Sequence, residues 1–540
     1  MAELNRRQLL KSAVAAGIVP LVPAEQLAQH EDPQRPAGRP TPFLHGVASG
    51  DPLPDRVILW TRLTLPAGRT ERARATWVVA KDPELRHVVR EGSTYTDASR
   101  DWTVKVDADR LKHGTTYYYA FSAEGARSEV GRTRTAVVGS PDAVRLAVVT
   151  CGDYTRGLFN AYGRLAERDD IDAVVHLGDY IYEGDKQDKV RPHIPAVELR
   201  TLAEYRGRYA SYRLDANLAK MHRRHPMIWV WDDHETCDGT WRDGADPKNH
   251  DPAEDGPFSA RKLAARQAAF EWLPIRLPDP RNPERIYRNF AFGNLVDLIM
   301  LDTRRIGRDR QGEGNVGEDA FTMTGVFADP ARQILGKEQE RWFLDSLRKS
   351  KAAWRIVGNQ VMFSQLKAVG ATNASNASVY TNPDQWDGYG PARDRVFDVL
   401  ENKHVDDVVI VTGDVHASLA LEVTRDPNNP AAYDPATSKG AVAVEFVAPS
   451  ISSAGDPEPE DERRPAERLV ATTEAAVPNP HLKYVRSGLN GYLLLDINRK
   501  RVEAEYWLVP FVGQPTDQEA LDRSFTVPRG RAALVDRAAN

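Results

Sequence analysis

The stretch Val174-Val175-His176-Leu177-Gly178-Asp179-Tyr180-Ile181-Tyr182-Glu183-Gly184-Asp185 starts as a short apolar run and becomes, past one glycine, a series of oxygen-bearing side chains. A compact apolar run closed by a turn residue reads as a buried strand. In an open α/β sheet the crevice beyond the carboxyl ends of the strands is where ligands bind. A rigid strand therefore fixes Asp179 at such an edge, and the three-residue step brings Tyr182 back towards the same point.

Four further runs repeat the pattern. Val144 to Val149 leads into Thr150-Cys151-Gly152-Asp153, and Met227 to Trp231 into Asp232-Asp233-His234-Glu235. Trp354 to Val357 is followed by Gly358-Asn359-Gln360, and Val408 to Val411 by Thr412-Gly413-Asp414-Val415-His416. Helical segments lie between them, at Phe159 to Arg168, Ser259 to Trp272 and Gly336 to Ser350, which argues for a layered α/β domain. The strand ends carry no glycine-rich dinucleotide fingerprint, phosphate-binding loop or nucleophile elbow. Asp, Tyr, His, Asn and Cys at successive strand ends point instead to a metal site. His176, inside its strand, reads as a core residue, and His193, His222, His225 and His250 have no motif support.

Upstream, residues 43–138 carry short β-branched and aromatic runs separated by turn residues, the texture of a small immunoglobulin/fibronectin-like β-sandwich. Leu111 to Tyr117 has the form of a tyrosine corner. The layered α/β domain is expected over 139–514, and the segment over 515–540 reads as helical. Polar loops at Gly239 to Phe258, Gly307 to Phe321 and Gly370 to Gly390 are placed as walls of the site.

The chain has 540 residues and a formal net charge of −5, so no uniformly basic surface calls for nucleic acid. Arg6-Arg7 followed by the apolar run Ala13 to Val22 has the form of a twin-arginine signal over residues 1–30, with a Pro- and charge-rich linker over 31–42. That apolar run is shorter than the ~20 residues needed to span a bilayer. Export by the twin-arginine machinery and an extracytoplasmic location are the expectations. Only Cys151 and Cys237 occur, too few for a disulfide scaffold, and their pairing stays open.

Taken in order, Gly178-Asp179-Tyr180-Ile181-Tyr182-Glu183, Trp231-Asp232-Asp233-His234-Glu235, Gly358-Asn359-Gln360 and Gly413-Asp414-Val415-His416 resemble the blocks of the calcineurin-like metallophosphoesterases. The form is most similar to the PhoD-type alkaline phosphatases and the iron-dependent phospholipase D of that group. The resemblance implies an αββα catalytic sandwich over 139–514, a lid role for the segment 515–540, and a metal-dependent phosphoric ester hydrolase. By it, Cys151 stands where the family has its first aspartate, Asp179 bridges two metals, and Tyr182 and His416 complete the first metal's shell. Asp233 stands for the family's asparagine, Asn359 for its isolated histidine, and Asp414 for the first histidine of its last pair. Thiolate, phenolate, carboxylate and imidazole suit ferric iron, and the all-oxygen set of Asp179, Asp233, Asn359 and Asp414 suits Ca²⁺. Fe³⁺ with one or two Ca²⁺ is thus implied, with His234 and Asp179 as the catalytic pair.

The expected reaction is attack of a metal-activated water on phosphomonoesters or phosphodiesters. The alternative is a phospholipase D with transient contact to a lipid surface. A cysteine phosphatase would need five residues between its cysteine and arginine, whereas Cys151 and Arg156 are separated by four. A secreted binding protein with a dead catalytic domain would not keep the full ligand set.

Overall fold

The structure is a computed structural model that describes residues 41–185, 190–316, 319–375, 377–402, 405–453 and 479–537. The signal expected over 1–30 and most of the linker lie outside the described residues.

Two sheets packed face to face form the centre. The first has ten strands, and its parallel heart is Ala143–Val149, Ala173–His176 and Pro226–Trp229, registered as His176 opposite Val149 and Trp229. In the second, of seven strands, Val296–Met300, Trp354–Gly358, Val408–Thr412 and Ala443–Val447 run parallel. The strands that carry the motif residues are buried throughout their inner positions, as their unbroken Val/Ile/Leu runs require. Leu146 and Val148 of the first sheet and Leu298, Ile356, Val409 and Val411 of the second share one apolar core. Helices Gly336–Lys349 and Gly390–Asn402 cover the second sheet through Phe343, Leu347, Val396 and Phe397. Asn160–Glu167, Leu202–Arg213, Ala216–Arg224 and Phe258–Trp272 add Leu165, Tyr205, Leu218 and Ala268 to the core of the first. The αββα expectation is met.

The N-terminal sandwich is present, but it is not a separate body. One of its sheets contains Val88–Thr96, Ala73–Ala80 and Thr116–Ala123. Its other sheet, formed by Val47–Leu53, Arg56–Arg62 and Thr103–Ala108, is the continuation of the ten-stranded sheet. The join is a parallel pairing of Ser49 with Pro226 and Gly50 with Met227. Val47, Val57, Leu59, Ala75, Val79 and Phe121 fill the space between the two sheets. The tyrosine corner closes as its sequence implies, with the Lys112 N–H donating to the Tyr117 hydroxyl at 2.8 Å.

The helix expected over 515–540 is not formed among its described residues, 515–537. Ala520–Pro528 and Val535–Arg537 are antiparallel strands at the edge of the first sheet. Phe525 and Val527 point inward opposite Ala504 and Val502, and a neighbouring strand with exposed hydrogen-bonding groups overrides a weak helical preference. What reaches the strand-end face from this region is the preceding connection: Leu158 N–H donates to the Val512 carbonyl at 2.7 Å, and Asn160 Nδ2 to those of Phe511 and Gln514 at 3.1 and 2.8 Å.

Candidate metal centre

The site forms where the strand ends of both sheets meet. Cys151 N–H donates to the Gly178 carbonyl at 3.2 Å and Gly152 N–H to that of Asp179 at 2.9 Å, tying the first two turns together. Gly413 N–H donates to the Gln360 carbonyl at 3.0 Å in the other sheet. The segment after Val447 then bridges the sheets, its Ile451 N–H donating to the Thr150 carbonyl at 2.9 Å. Backbones this close exclude side chains: a Cβ on Gly178, whose φ is +105°, would lie 2.3 Å from the Asp232 nitrogen. In these turns Cys151, Asp179, Asp414 and His416 adopt left-handed φ angles of 57°, 55°, 62° and 58°. Few residues other than glycine do so, and such departures cluster at functional sites.

Around Asp179 the donors converge. Its Oδ2 lies 3.4 Å from Cys151 Sγ and 3.2 Å from the Tyr182 hydroxyl, which is itself 3.3 Å from His416 Nε2. Cys151, Asp179 and His416 present donor atoms all within 4.8 Å of one another. Two ligands each about 2.1 Å from one cation and roughly 90–110° apart stand about 3.0–3.4 Å from each other, so this spacing fits a shared coordination sphere. Asp179 Oδ1 is buried and accepts no hydrogen bond among the described residues, a costly arrangement unless a positive partner is supplied. Burial pushes the Asp179 carboxyl and the Cys151 thiol well up, and does the same to the Tyr182 phenol.

A second cluster is all oxygen. Asp232, Asp233 and Asp414 bring carboxylate oxygens within 4.8 Å of one another, as do Asp179 and Asp233 with a nitrogen of His234. Asp233 is steadied by the N–H groups of His234 at 3.0 Å and Gly239 at 2.8 Å. The guanidinium of Arg304, fully buried, donates to Asp232, to Asp384 at 2.7 Å and to Asp414 at 2.8 Å. Like-charged carboxylates packed this tightly need such a counter-charge. Asp232 Oδ2 still lacks any partner among the described residues, and burial holds that carboxyl well above the usual range despite Arg304.

His234 stands over both clusters. Its Nδ1 donates to Glu183 Oε2 at 2.7 Å, and its ring lies 4.1 Å from that of Tyr182, centroid to centroid. The Glu183 contact fixes Nδ1 as the protonated nitrogen and turns Nε2 the other way. Burial alone would lower the His234 pKa, but Glu183, Asp179 and Asp233 outweigh it and hold the ring well above its ordinary value. Glu183 is itself oriented by the Asp238 N–H at 2.6 Å.

Of the residues the sequence marks, Cys151, Asp179, Tyr182, Asp233, His234, Asp414 and His416 lie together. Asn359 is placed apart in its contacts: its Oδ1 accepts from Trp386 Nε1 at 3.2 Å, and its Nδ2 donates to Thr412 Oγ1 at 3.3 Å. Cys151 and Cys237 are both free, so the pairing left open is not made. His176 is a core residue bonded to the Tyr162 hydroxyl at 2.8 Å.

Sequence reading missed Arg304, Gln385 and Ser453, and gave no task to Glu183 or Glu235. Glu235 accepts from the N–H groups of Asp179, Tyr180 and Asp232 at 3.1, 2.6 and 2.8 Å, a buried carboxylate that welds two turns. Arg304 carried the same signal as the others, since Asp302-Thr303-Arg304-Arg305 follows the apolar strand Val296–Met300. Gln385, whose Nε2 donates to Asp414 Oδ2 at 2.5 Å, and Ser453 sit in irregular segments that no periodicity marks. The walling loops interlock beside the site, with Gln311 Nε2 donating to the Gly239 carbonyl at 3.2 Å and to Asp384 Oδ1 at 2.8 Å. Helix Leu202–Arg213 backs the tyrosine turn. It opens on a capping box between Thr201 and Glu204, and its Tyr212 hydroxyl accepts from the Tyr182 N–H at 3.2 Å.

Comparison with known proteins falls in line with this geometry. The family model described as "PhoD-like phosphatase" matches residues 146–506, and that for "PhoD-like phosphatase, N-terminal domain" matches 27–137. Alkaline phosphatase D of Bacillus subtilis (strain 168) is 33% identical over 547 residues, covering 98% of this chain and 88% of that protein. The solved structure of PhoD superposes with a TM-score of 0.82 at 33% identity, covering 94% of each chain. The purple acid phosphatase PPD1 from yellow lupin (Lupinus luteus) superposes with a TM-score of 0.51 at 12% identity, covering 89% of this chain and 74% of its own, a likeness of fold.

Proposed function

The chain belongs to the PhoD-like phosphatases, and from that premise we propose that the strand-end clusters are its metal centre, with Fe³⁺ in one part and Ca²⁺ in the other. The protein is a metal-dependent hydrolase of phosphate esters. Its reading as a phosphomonoesterase and phosphodiesterase that acts after twin-arginine export is part of the proposal. No helix among the described residues is long and apolar enough to cross a membrane.

The observation that carries the metal assignment is the packing of Cys151, Asp179, Tyr182 and His416 donors at 3.2–3.4 Å with Asp179 Oδ1 left unpartnered. A thiol, a phenol and an imidazole around one carboxylate favour Fe³⁺ there. Asp179, Asp233 and Asp414 offer oxygen alone and favour Ca²⁺. Asn359 would join them once its amide leaves Trp386. Bound there, the cations supply Lewis acidity for the phosphoryl group and a more acidic water. Asp179, whose carboxylate lies in both groupings, would hold the two parts in one register. Arg304 keeps Asp232 and Asp414 aimed inward. His234, its Nδ1 held by Glu183, presents Nε2 to the leaving-group oxygen and delivers the proton.

Three assays on the purified enzyme separate the substrates: phosphate from a monoester, alcohol from a diester, and choline from phosphatidylcholine. Release of phosphate or alcohol is expected; choline release without either would make it a phospholipase D instead. Iron is tested separately. The phenolate of Tyr182 on Fe³⁺ gives a visible charge-transfer band, which Tyr182→Phe abolishes; a colourless, fully active wild-type enzyme overturns the iron assignment.

A further inference from the structure

Among the described residues, the Tyr182 hydroxyl has a hydrogen-bonding neighbour outside the proposed ligand set. Ser453 Oγ lies 2.7 Å from it, closer than Asp179 Oδ2 or His416 Nε2. Ser453 is buried, and its Oγ also lies 2.8 Å from the Cys151 carbonyl and 3.3 Å from the Asp153 N–H. It reaches this place because the chain after Ala443–Val447 crosses from one sheet to the other, with Ile451 and Ser452 bonding to the carbonyls of Thr150 and Cys151 at 2.9 and 3.3 Å.

A serine hydroxyl carries one proton and two lone pairs. Here the Asp153 N–H fills one lone pair. The proton has two acceptors in reach, the Cys151 carbonyl and the Tyr182 oxygen. With a neutral phenol the carbonyl takes it, and Tyr182 donates to Ser453. Once the phenol has given up its proton to bind a cation, Asp179 and His416 are occupied as fellow ligands. The phenolate is then the stronger acceptor, since hydrogen bonds to ionised groups are roughly twice as strong as neutral ones. The Cys151 carbonyl is not left bare, because Ser452 N–H still donates to it.

We infer that Ser453 is a positioning residue that donates to the metal-bound Tyr182 phenolate and sets how strongly it donates charge to the metal. This rests on the iron assignment above. Outer-sphere hydrogen bonds of this kind fix ligand orientation and tune the metal. A donor on the phenolate stabilises its electrons, so it raises the energy of phenolate-to-iron charge transfer and leaves the iron more electrophilic.

The test is the absorption spectrum of the iron-loaded full-length enzyme, read with its iron content. Ser453→Ala should keep the iron and shift the visible band to longer wavelength, and Ser453→Thr, which keeps the hydroxyl, should return it. Ser452→Ala is the control. Its hydroxyl donates to the Asp153 carbonyl at 2.7 Å, so the band should stay in place. An unmoved band in Ser453→Ala at full iron content, or an equal shift in Ser452→Ala, overturns the role of Ser453. A wild-type enzyme without any such band removes the iron reading itself, a separate outcome.

Discussion

Glu183 Oε2 lies 2.7 Å from His234 Nδ1, and this contact fixes which nitrogen of the ring can face a substrate. Removing the imidazole with His234→Ala should lower kcat by roughly 10²–10⁴-fold, the usual worth of a positioned acid. Glu183→Gln keeps a hydrogen-bond acceptor but loses the charge, and should cost less, about tenfold. Because both act through one ring, the double variant should be no slower than His234→Ala alone. Steady-state kinetics with a chromogenic monoester, alongside metal content, decide this. Multiplicative losses would mean that Glu183 acts elsewhere.

Asp179 touches both clusters, whereas Cys151 touches one. Asp179→Asn should therefore strip the purified protein of both kinds of cation, while Cys151→Ser loses iron and retains calcium. Elemental analysis after dialysis reads this directly. Equal retention in both variants would refute the shared-carboxylate arrangement.

The catalytic domain should not survive alone. Its sheet is extended by Val47–Leu53 through the pairing of Ser49 with Pro226, on the strand that leads to Asp233 and His234. The sandwich also supplies donors to the end of helix Phe258–Trp272, with Trp60 Nε1 on the Glu271 carbonyl at 2.8 Å and Lys105 Nζ on that of Ile275 at 3.1 Å. A chain starting at residue 139 exposes that strand edge and is expected to aggregate, while the full chain unfolds in one calorimetric transition. A soluble, active truncation would contradict the continuity of the sheet.

Lys367 is fully buried, and its Nζ donates to the Ala371 carbonyl and to the side-chain oxygens of Asn373 and Asn428 at 3.1, 2.9 and 2.9 Å. Burial lowers its pKa to about 8 from an ordinary 10.5. The folded state thus binds this proton less tightly than the unfolded one. The cost of the buried charge is full below about pH 8 and fades as pH rises towards about 10.5, so Lys367 makes the fold relatively more stable in alkali. Melting temperatures compared across this window should show the wild type gaining on Lys367→Met as pH rises. A constant gap between them would remove Lys367 as the source.

Much of this centre was legible before the fold was seen, for a physical reason. A buried parallel strand is a continuous apolar run, and the few residues just past its carboxyl end lie at the ligand-binding edge, so Cys151, Asp179, Asp233 and Asp414 are marked by position as well as type. The rule says nothing about rotamers: Asn359 follows its strand as expected, yet its amide is bonded to Trp386. Residues delivered by irregular chain, such as Ser453 and Gln385, leave no periodic trace. The C-terminal strands were misread because their neighbours, distant in sequence, decided their conformation. The continuity of the two β-sheets was hidden for the same reason, since one pairing between positions near 49 and 226 creates it.

Four ligand candidates sit in backbone conformations that cost of order 1–3 kcal/mol for ordinary side chains. Directed evolution for heat resistance alone would find easy gains there, because glycine at Cys151 or His416 relaxes the main chain while asparagine at Asp179 removes a buried acid whose Oδ1 has no partner among the described residues. Each such gain would disarm the enzyme. Durability and turnover are thus opposed at the same three codons, and a screen that omits activity would select a sturdier protein with an empty centre.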